Sequence, residues 1–192
     1  MTATKDHIIS LPNGNLRARS KKVGIISDEI KKVIDDMKSA TLDWESHRQH
    51  EVGVALAGVQ IDQLLRVVII RNNFDDKKDR DFQVFINPEV TRLEGEIIED
   101  FEGCLSIKDI YGKVPRYNKA KVKALDINGK PIRVTAEGFL ARVFQHEIDH
   151  TNGMVFIDHI KDNPEAFYRL ESDGQLIALD YEKDIRNNRI LW

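Results

Sequence analysis

Two histidines four residues apart, in Gln145-His146-Glu147-Ile148-Asp149-His150, constrain this chain more than any other stretch. On an α-helix that spacing puts both imidazoles on one face, one turn apart. Both can then reach a single divalent metal, and Glu147 between them can reach water at that metal. A surface helix can carry the same letters with both histidines solvated. The flanking residues argue against this: Phe139, Leu140, Val143, Phe144 and Ile148 are apolar at helical spacing, which predicts a largely buried helix. Buried histidines need partners. Asn152-Gly153 follows at once and supplies a left-handed stop, so the histidines fall in the last turns of a core helix.

Such a helix needs a core around it, and 192 residues suffice for one domain spanning 1–192. An apolar fraction of 41% beside a charged fraction of 32% is that of a soluble globular protein. The net charge of −3 is made of interspersed acids and bases. That excludes an electrostatic footprint for sequence-specific nucleic-acid binding and a polybasic membrane patch. No apolar run approaches the ~18 residues of a membrane span, and Met1 to Ser10 lacks signal-peptide architecture. With Cys104 as the only cysteine, no internal disulfide can form, and a reducing cytoplasmic setting is expected.

In chain order, Leu11-Pro12-Asn13-Gly14-Asn15 reads as a turn. Ser27-Asp28-Glu29 predicts a helix start, and Ile30, Val33, Ile34, Met37 and Leu42 carry its apolar stripe toward about Glu51. His47 and His50 lie in its polar end and are expected to be solvated. Gly53 to Gln60 is small and apolar and ends on an amide, which suits a tightly packed strand or loop. Leu65 to Arg71, Phe82 to Ile86 and Gly95 to Glu99 predict strands. Residues 120 to 127 and 130 to 135, joined by Asn128-Gly129, predict a hairpin with a type I′ turn. Thr135 is the expected cap of the helix that follows. Val155 to Ile157 reads as a short strand and Pro164 to Leu170 as a helix, while Gln175 to Leu179 is ambiguous. Strands followed by a late buried helix imply an α+β fold, with antiparallel β-sheets packed around a central helix that bears the two histidines.

A catalytic divalent site usually has three protein ligands and one open position. Downstream of the histidine pair, His159, Glu165 and Glu171 are possible, but none has a recognisable spacing. Upstream, Cys104 sits between a glycine and a leucine, where backbone can come close to a ligand.

At this point the chain resembles the peptide deformylase family. That family has three ordered motifs: a Gly-rich segment ending in glutamine, EGCLS, and QHExDH. The second stands intact at Glu102 to Ser106 and the third at Gln145 to His150. In the first, Gly53, Leu56, Ala57 and Gln60 match, whereas Ala55, Gly58 and Val59 depart from the family's preferred residues. The resemblance runs from about Ile8 to Asp158; the segment before Gly53 is several residues longer than usual, and about 161–192 is expected to be a variable C-terminal extension.

The resemblance implies a metal-dependent hydrolase that removes the formyl group from N-formylmethionine of nascent polypeptides and releases formate. It implies Cys104, His146 and His150 as ligands of one divalent metal, Fe²⁺ in the cell with Zn²⁺, Ni²⁺ or Co²⁺ as substitutes. It also implies Glu147 as the base, with the Gln60 amide and the Leu105 backbone N–H as oxyanion donors. Glu102, Asp149 and Arg116 would support the ligands, and Gly103 would leave room for substrate backbone beside Gly53. Helical spacing from His146 places Phe139, Arg142 and Val143 on its face, a candidate methionine pocket with the Arg142 charge at the mouth. Expected partners are formylated nascent peptides and the ribosome near its exit tunnel, with the protein a monomer and no membrane attachment. Two other readings are an HExxH zinc peptidase with Cys104 uninvolved, and a non-catalytic deformylase-like peptide binder.

Overall fold

A computed structural model of the protein describes residues 2–74 and 76–187. The fold is α+β: antiparallel strands joined in one sheet, with few helices. The strands are β1 (Ala55–Ala57), β2 (Val67–Arg71), β3 (Phe82–Cys104), β4 (Ile107–Leu125), β5 (Pro131–Glu137), β6 (Phe167–Leu170) and β7 (Leu176–Ala178). They hydrogen-bond in the order β1-β2-β3-β4-β6-β7, and β5 also pairs with β4.

Helix α1 (Asp28–Ser46) starts after Ser27, with Asp28 and Glu29 in the first turn where the helix dipole favours acids. Ile34, Met37 and Ala40 are buried against one face of the sheet with Leu56, Val67, Ile69, Val84 and Ile86. Helix α2 (Gly138–Thr151) lies against the other face, with Ala57, Val68, Ile70, Phe85, Val122, Val143 and Phe144. Alternate residues of β2 therefore meet opposite helices, which is why that strand reads as an unbroken Val-Val-Ile-Ile run.

Several local expectations change. Helix α1 ends at Ser46 and not near Glu51. There the Glu45 carboxylate accepts the Gly53 N–H at 2.8 Å and forms an ion pair with the fully buried Arg71 at 2.8 Å, which folds the chain back. Phe82 to Ile86 and Gly95 to Glu99 are parts of one strand, β3, which changes register with β4 at four points and so bends without breaking. The β4–β5 turn is not type I′, which needs two left-handed residues: Gly129 is left-handed and Asn128 is not. Asp126 organises that turn instead, accepting the N–H groups of Asn128 and Lys130 at 2.9 and 2.8 Å. Thr135 lies inside β5 and Glu137 takes the cap position of α2. Asn152-Gly153 ends α2 as expected, with Gly153 at φ +80°.

Val155 to Ile157 is not a strand: residues Phe156–His159 form a 3₁₀ turn whose Phe156 and Ile157 are buried. Nor do Pro164 to Leu170 form a helix. A single turn at Pro164–Ala166 leads into β6, which adds to β4 at Ile110 to Gly112. The free edge of β4 supplies backbone partners there, and that tertiary pairing overrides the helix-start signal of Pro164. Within 161–192, residues 188–192 lie outside the described residues.

Candidate active site

Strand β3 and helix α2 deliver three donors to one place. Cys104 is the last residue of β3, and His146 and His150 stand one turn apart on α2. Their ligand atoms lie within 4.8 Å of one another, and all three residues are buried. Cys104 Sγ is 3.3 Å from His150 Nε2. The imidazoles face edge to plane with centroids 5.0 Å apart, the geometry that i, i+4 spacing demands.

Glu102 orients this group. Its Oε2 lies 2.9 Å from His146 Nδ1. Burial opposes a charge there, but His146 and Arg116 outweigh it and hold the Glu102 carboxyl well below the usual range. An ionised Glu102 only accepts, so His146 Nδ1–H donates and Nε2 is left for the site. Arg116 donates to both Glu102 oxygens at 2.9 and 3.1 Å, and its other amino group reaches Asp149. Arg142 adds a third bond to Glu102 at 2.8 Å. Two acids and two guanidinium groups are thus paired beneath His146, which is the condition for burying charge at all.

Above the donors lies a cavity of about 670 Å³, lined by Gln60, Cys104, Leu105, Val143, His146 and Glu147 among others. Glu147 is 5% exposed, and its Oε2 has no hydrogen-bond partner among the described residues. Burial pushes its carboxyl up to about 7, although His146 opposes the shift. Burial above all pushes His150 well down, toward the neutral imidazole. Gln60 sits in a 3₁₀ turn (Gly58–Ile61) after β1. Its Oε1 accepts the Ala57 N–H at 2.9 Å, and its Nε2 donates to Ser106 Oγ at 3.2 Å and Cys104 Sγ at 3.4 Å. Leu105 occupies the turn between β3 and β4.

The residues fit a divalent metal. A thiol and two imidazoles converge, with their ligand atoms within 4.8 Å of one another and the cavity beside them. Among the described residues His150 Nδ1 has no partner, and the contact to Cys104 is the one hydrogen bond found for the ring.

The remaining candidates fall in three ways. Val143 lines the cavity at 7% exposure. Phe139 also lines it but is 46% exposed, with its ring edge-on to Phe74 at 5.1 Å, so it belongs to the rim and not to the core. The Arg142 charge is not at the mouth. Its guanidinium is buried on Glu102 and on the carbonyls of Val114 and Ile98, because those strand carbonyls need a donor. Gly53 is not in the cavity wall: a Cβ there would lie 2.6 Å from Thr41 Cγ2. Gly103 does line the cavity, and an added Cβ there would lie 2.6 Å from the Tyr111 ring.

Sequence reasoning missed the rim. Tyr111 lines the cavity and donates to Glu51 at 2.8 Å, and Trp44, Phe74 and Phe101 line it too. Only the alternation along β3 and β4 around Gly103 could have pointed to Tyr111 and Phe101.

Comparison with known proteins agrees with this geometry. The model of the family described as polypeptide deformylase matches residues 5–165. The chain is 39% identical over 155 residues to peptide deformylase 1 of Pseudomonas syringae, covering 80% of this chain and 86% of that one. It is 40% identical over 154 residues to the peptide deformylase of Psychrobacter arcticus, covering 80% and 78%. Among solved structures, a Synechococcus elongatus peptide deformylase in complex with actinonin superposes with a TM-score of 0.73 at 33% identity, over 81% of this chain and 80% of that one. A peptide deformylase from Legionella pneumophila gives 0.70 at 36% identity, over 83% and 86%. This chain therefore belongs to the peptide deformylase family, the metal-dependent hydrolases that remove the N-formyl group from nascent polypeptides.

Proposed function

We propose that Glu147, Gln60 and the Leu105 backbone perform this hydrolysis beside a metal held by Cys104, His146 and His150. The observation that carries the reading is the convergence of those three donors on the cavity that Glu147 and Gln60 line. A divalent metal there supplies Lewis acidity and a nucleophile at neutral pH. The reaction adds water across the formyl C–N bond: a C–O bond forms, the C–N bond breaks, and formate and a free amine leave. Glu147 takes the proton from the attacking water and returns it to the departing nitrogen. Gln60 Nε2–H and the Leu105 N–H meet the oxygen on which charge develops. Gln60 Nε2 exchanges one of its two bonds, to Ser106 Oγ at 3.2 Å or Cys104 Sγ at 3.4 Å, for the oxyanion. Val143 and Phe139 wall the methionine pocket, and Arg142 holds that wall from behind through β3 and β4.

In this reading helix α2 is the element around which the sheet packs, and 1–192 is one catalytic domain whose residues from about 161 vary between relatives. The family match, which ends at residue 165, supports the latter. The cellular metal is Fe²⁺, with Zn²⁺, Ni²⁺ and Co²⁺ as substitutes. The protein acts as a cytoplasmic monomer on chains leaving the ribosome. In support, no helix among the described residues is long and apolar enough to cross a membrane. The test is formate release from formyl-Met-Ala by iron- or nickel-loaded protein. The iron form should decay faster in air, since thiolate and ferrous ion both oxidise; equal half-lives would remove iron from the proposal.

A further inference from the structure

We infer that the β6–β7 hairpin, which lies beyond the family match, positions one wall of the cleft, with Tyr168 acting through Phe101 to set affinity for peptide residues beyond the formyl-methionine. The inference rests on the deformylase reading for its substrate class.

Register fixes the arrangement. Tyr168 pairs with Tyr111, Tyr111 with Gly103, and Lys113 with Phe101. Directly opposed residues share a sheet face, so these side chains lie on one side. Phe101 and Tyr111 line the cavity, and Tyr168 stands one strand further out. The Phe101 and Tyr168 rings meet edge to face, 4.9 Å apart at 87°. The Lys113 ammonium lies 5.3 Å and 5.4 Å from their centroids, holding both. On the opposite face Phe167 is fully buried with Val155, Phe156 and Ile160, which pins the hairpin to the core. A second contact comes from the hairpin's own turn, where a Cβ at Gly174 would lie 3.0 Å from the His50 ring. His50 is itself part of the cavity wall. The hairpin therefore braces the wall at two places.

Distance selects which part of the substrate feels it. Phe101 is three residues of extended strand from Cys104, about 10 Å away at ~3.3 Å per residue. A peptide with its formyl carbon at the metal and an extended backbone brings its second and third residues level with Phe101. Phe101 offers an aromatic edge, so an apolar third residue should gain most.

The experiment measures kcat and KM for formyl-Met-Ala and formyl-Met-Ala-Phe, and binding of the product Met-Ala-Phe through the fluorescence of Trp44, which lines the cavity. Tyr168→Ala should raise KM for the tripeptide about three- to tenfold, the range of one aromatic pair, with kcat and dipeptide kinetics unchanged. Tyr168→Phe should keep wild-type values. Phe101→Leu should show the same loss on the tripeptide, and the double variant should be no worse than Phe101→Leu alone. An equal change for both substrates, an additive double variant, or lost metal in Tyr168→Ala would make the hairpin a scaffold only and overturn the inference. Absent formate release by the wild type would fail the deformylase reading, while the ratio of Met-Ala-Phe affinities would still decide this one.

Discussion

The two walls of the cleft keep their shape by different forces. The wall under His146 is a closed polar network: Glu102 accepts from Arg116 and Arg142, Arg116 reaches Asp149, and every one of these side chains is buried or nearly so. The outer wall is aromatic and half-exposed, with Phe74 on Phe139 and Tyr168 on Phe101, each pair edge to face. A buried ionic network is all-or-none, because removing one partner strands the others without solvent. Edge-to-face pairs weaken in small steps. The polar wall can therefore fix reacting atoms, and the aromatic wall can be retuned for different peptides without disturbing the chemistry.

Substitutions can break or sharpen that contrast. The largest effect belongs to Glu147→Ala, which should cost on the order of 10²–10⁴ in kcat, as for other acid–base residues, while metal content stays at wild-type level. Near-normal formate release would take Glu147 out of the reaction. Glu102→Gln comes next. It leaves Arg142 with no acid partner among the described residues and Arg116 with Asp149 alone, so denaturant melts should show a loss of about 3–5 kcal/mol, and metal titration an affinity lower by about 10–100-fold. If stability and affinity both fell by small amounts, the network would not be all-or-none.

Val143→Trp tests the pocket between the walls. It should fill the space beside His146 and lower kcat/KM for formyl-Met peptides more than for formyl-Gly peptides, by at least roughly tenfold, the low end of what one methylene group is worth. Equal losses on the two substrates would place the reading of methionine elsewhere. The smallest effect is a control on the outer surface. Lys123 and Lys22 contact Glu89 at 2.8 and 2.7 Å and hold its carboxyl down to about 2. A depressed carboxyl stabilises above its unfolded value and stops doing so as pH falls through the folded one. Glu89→Gln should thus cost at most about 0.5 kcal/mol at pH 7. That deficit should shrink as pH drops from 4 toward 2, with kcat/KM unchanged throughout. Altered turnover would mean the surface ion pairs are coupled to the site after all.

The metal donors and Glu147 were legible in the sequence and the aromatic wall was not. His146, Glu147 and His150 are fixed by helical periodicity, and Cys104 becomes their partner through a motif that stands whole. Those relations are local and survive reading one letter at a time. Phe101, Tyr111 and Tyr168 come together only through register across three strands, and the third of these was expected to be a helix. Arg142 shows the same limit. Its place on the His146 face was readable, but the carbonyls of Ile98 and Val114 that draw its charge inward belong to β3 and β4. Spacing along a helix shows which way a side chain starts, not which backbone it finishes against.

One cysteine in 192 residues gives thiol chemistry on this protein a single address. Cys104 is 8% exposed, and its sulfur lies among the metal donors. Thiol-alkylating reagents added to native protein therefore have no surface thiol to consume. The rate at which they are taken up becomes a gauge of how often the site stands open and empty, readable without any substrate. The same fact rules out a covalent staple within the chain, so reducing agents should leave the melting temperature of the metal-loaded protein where it was.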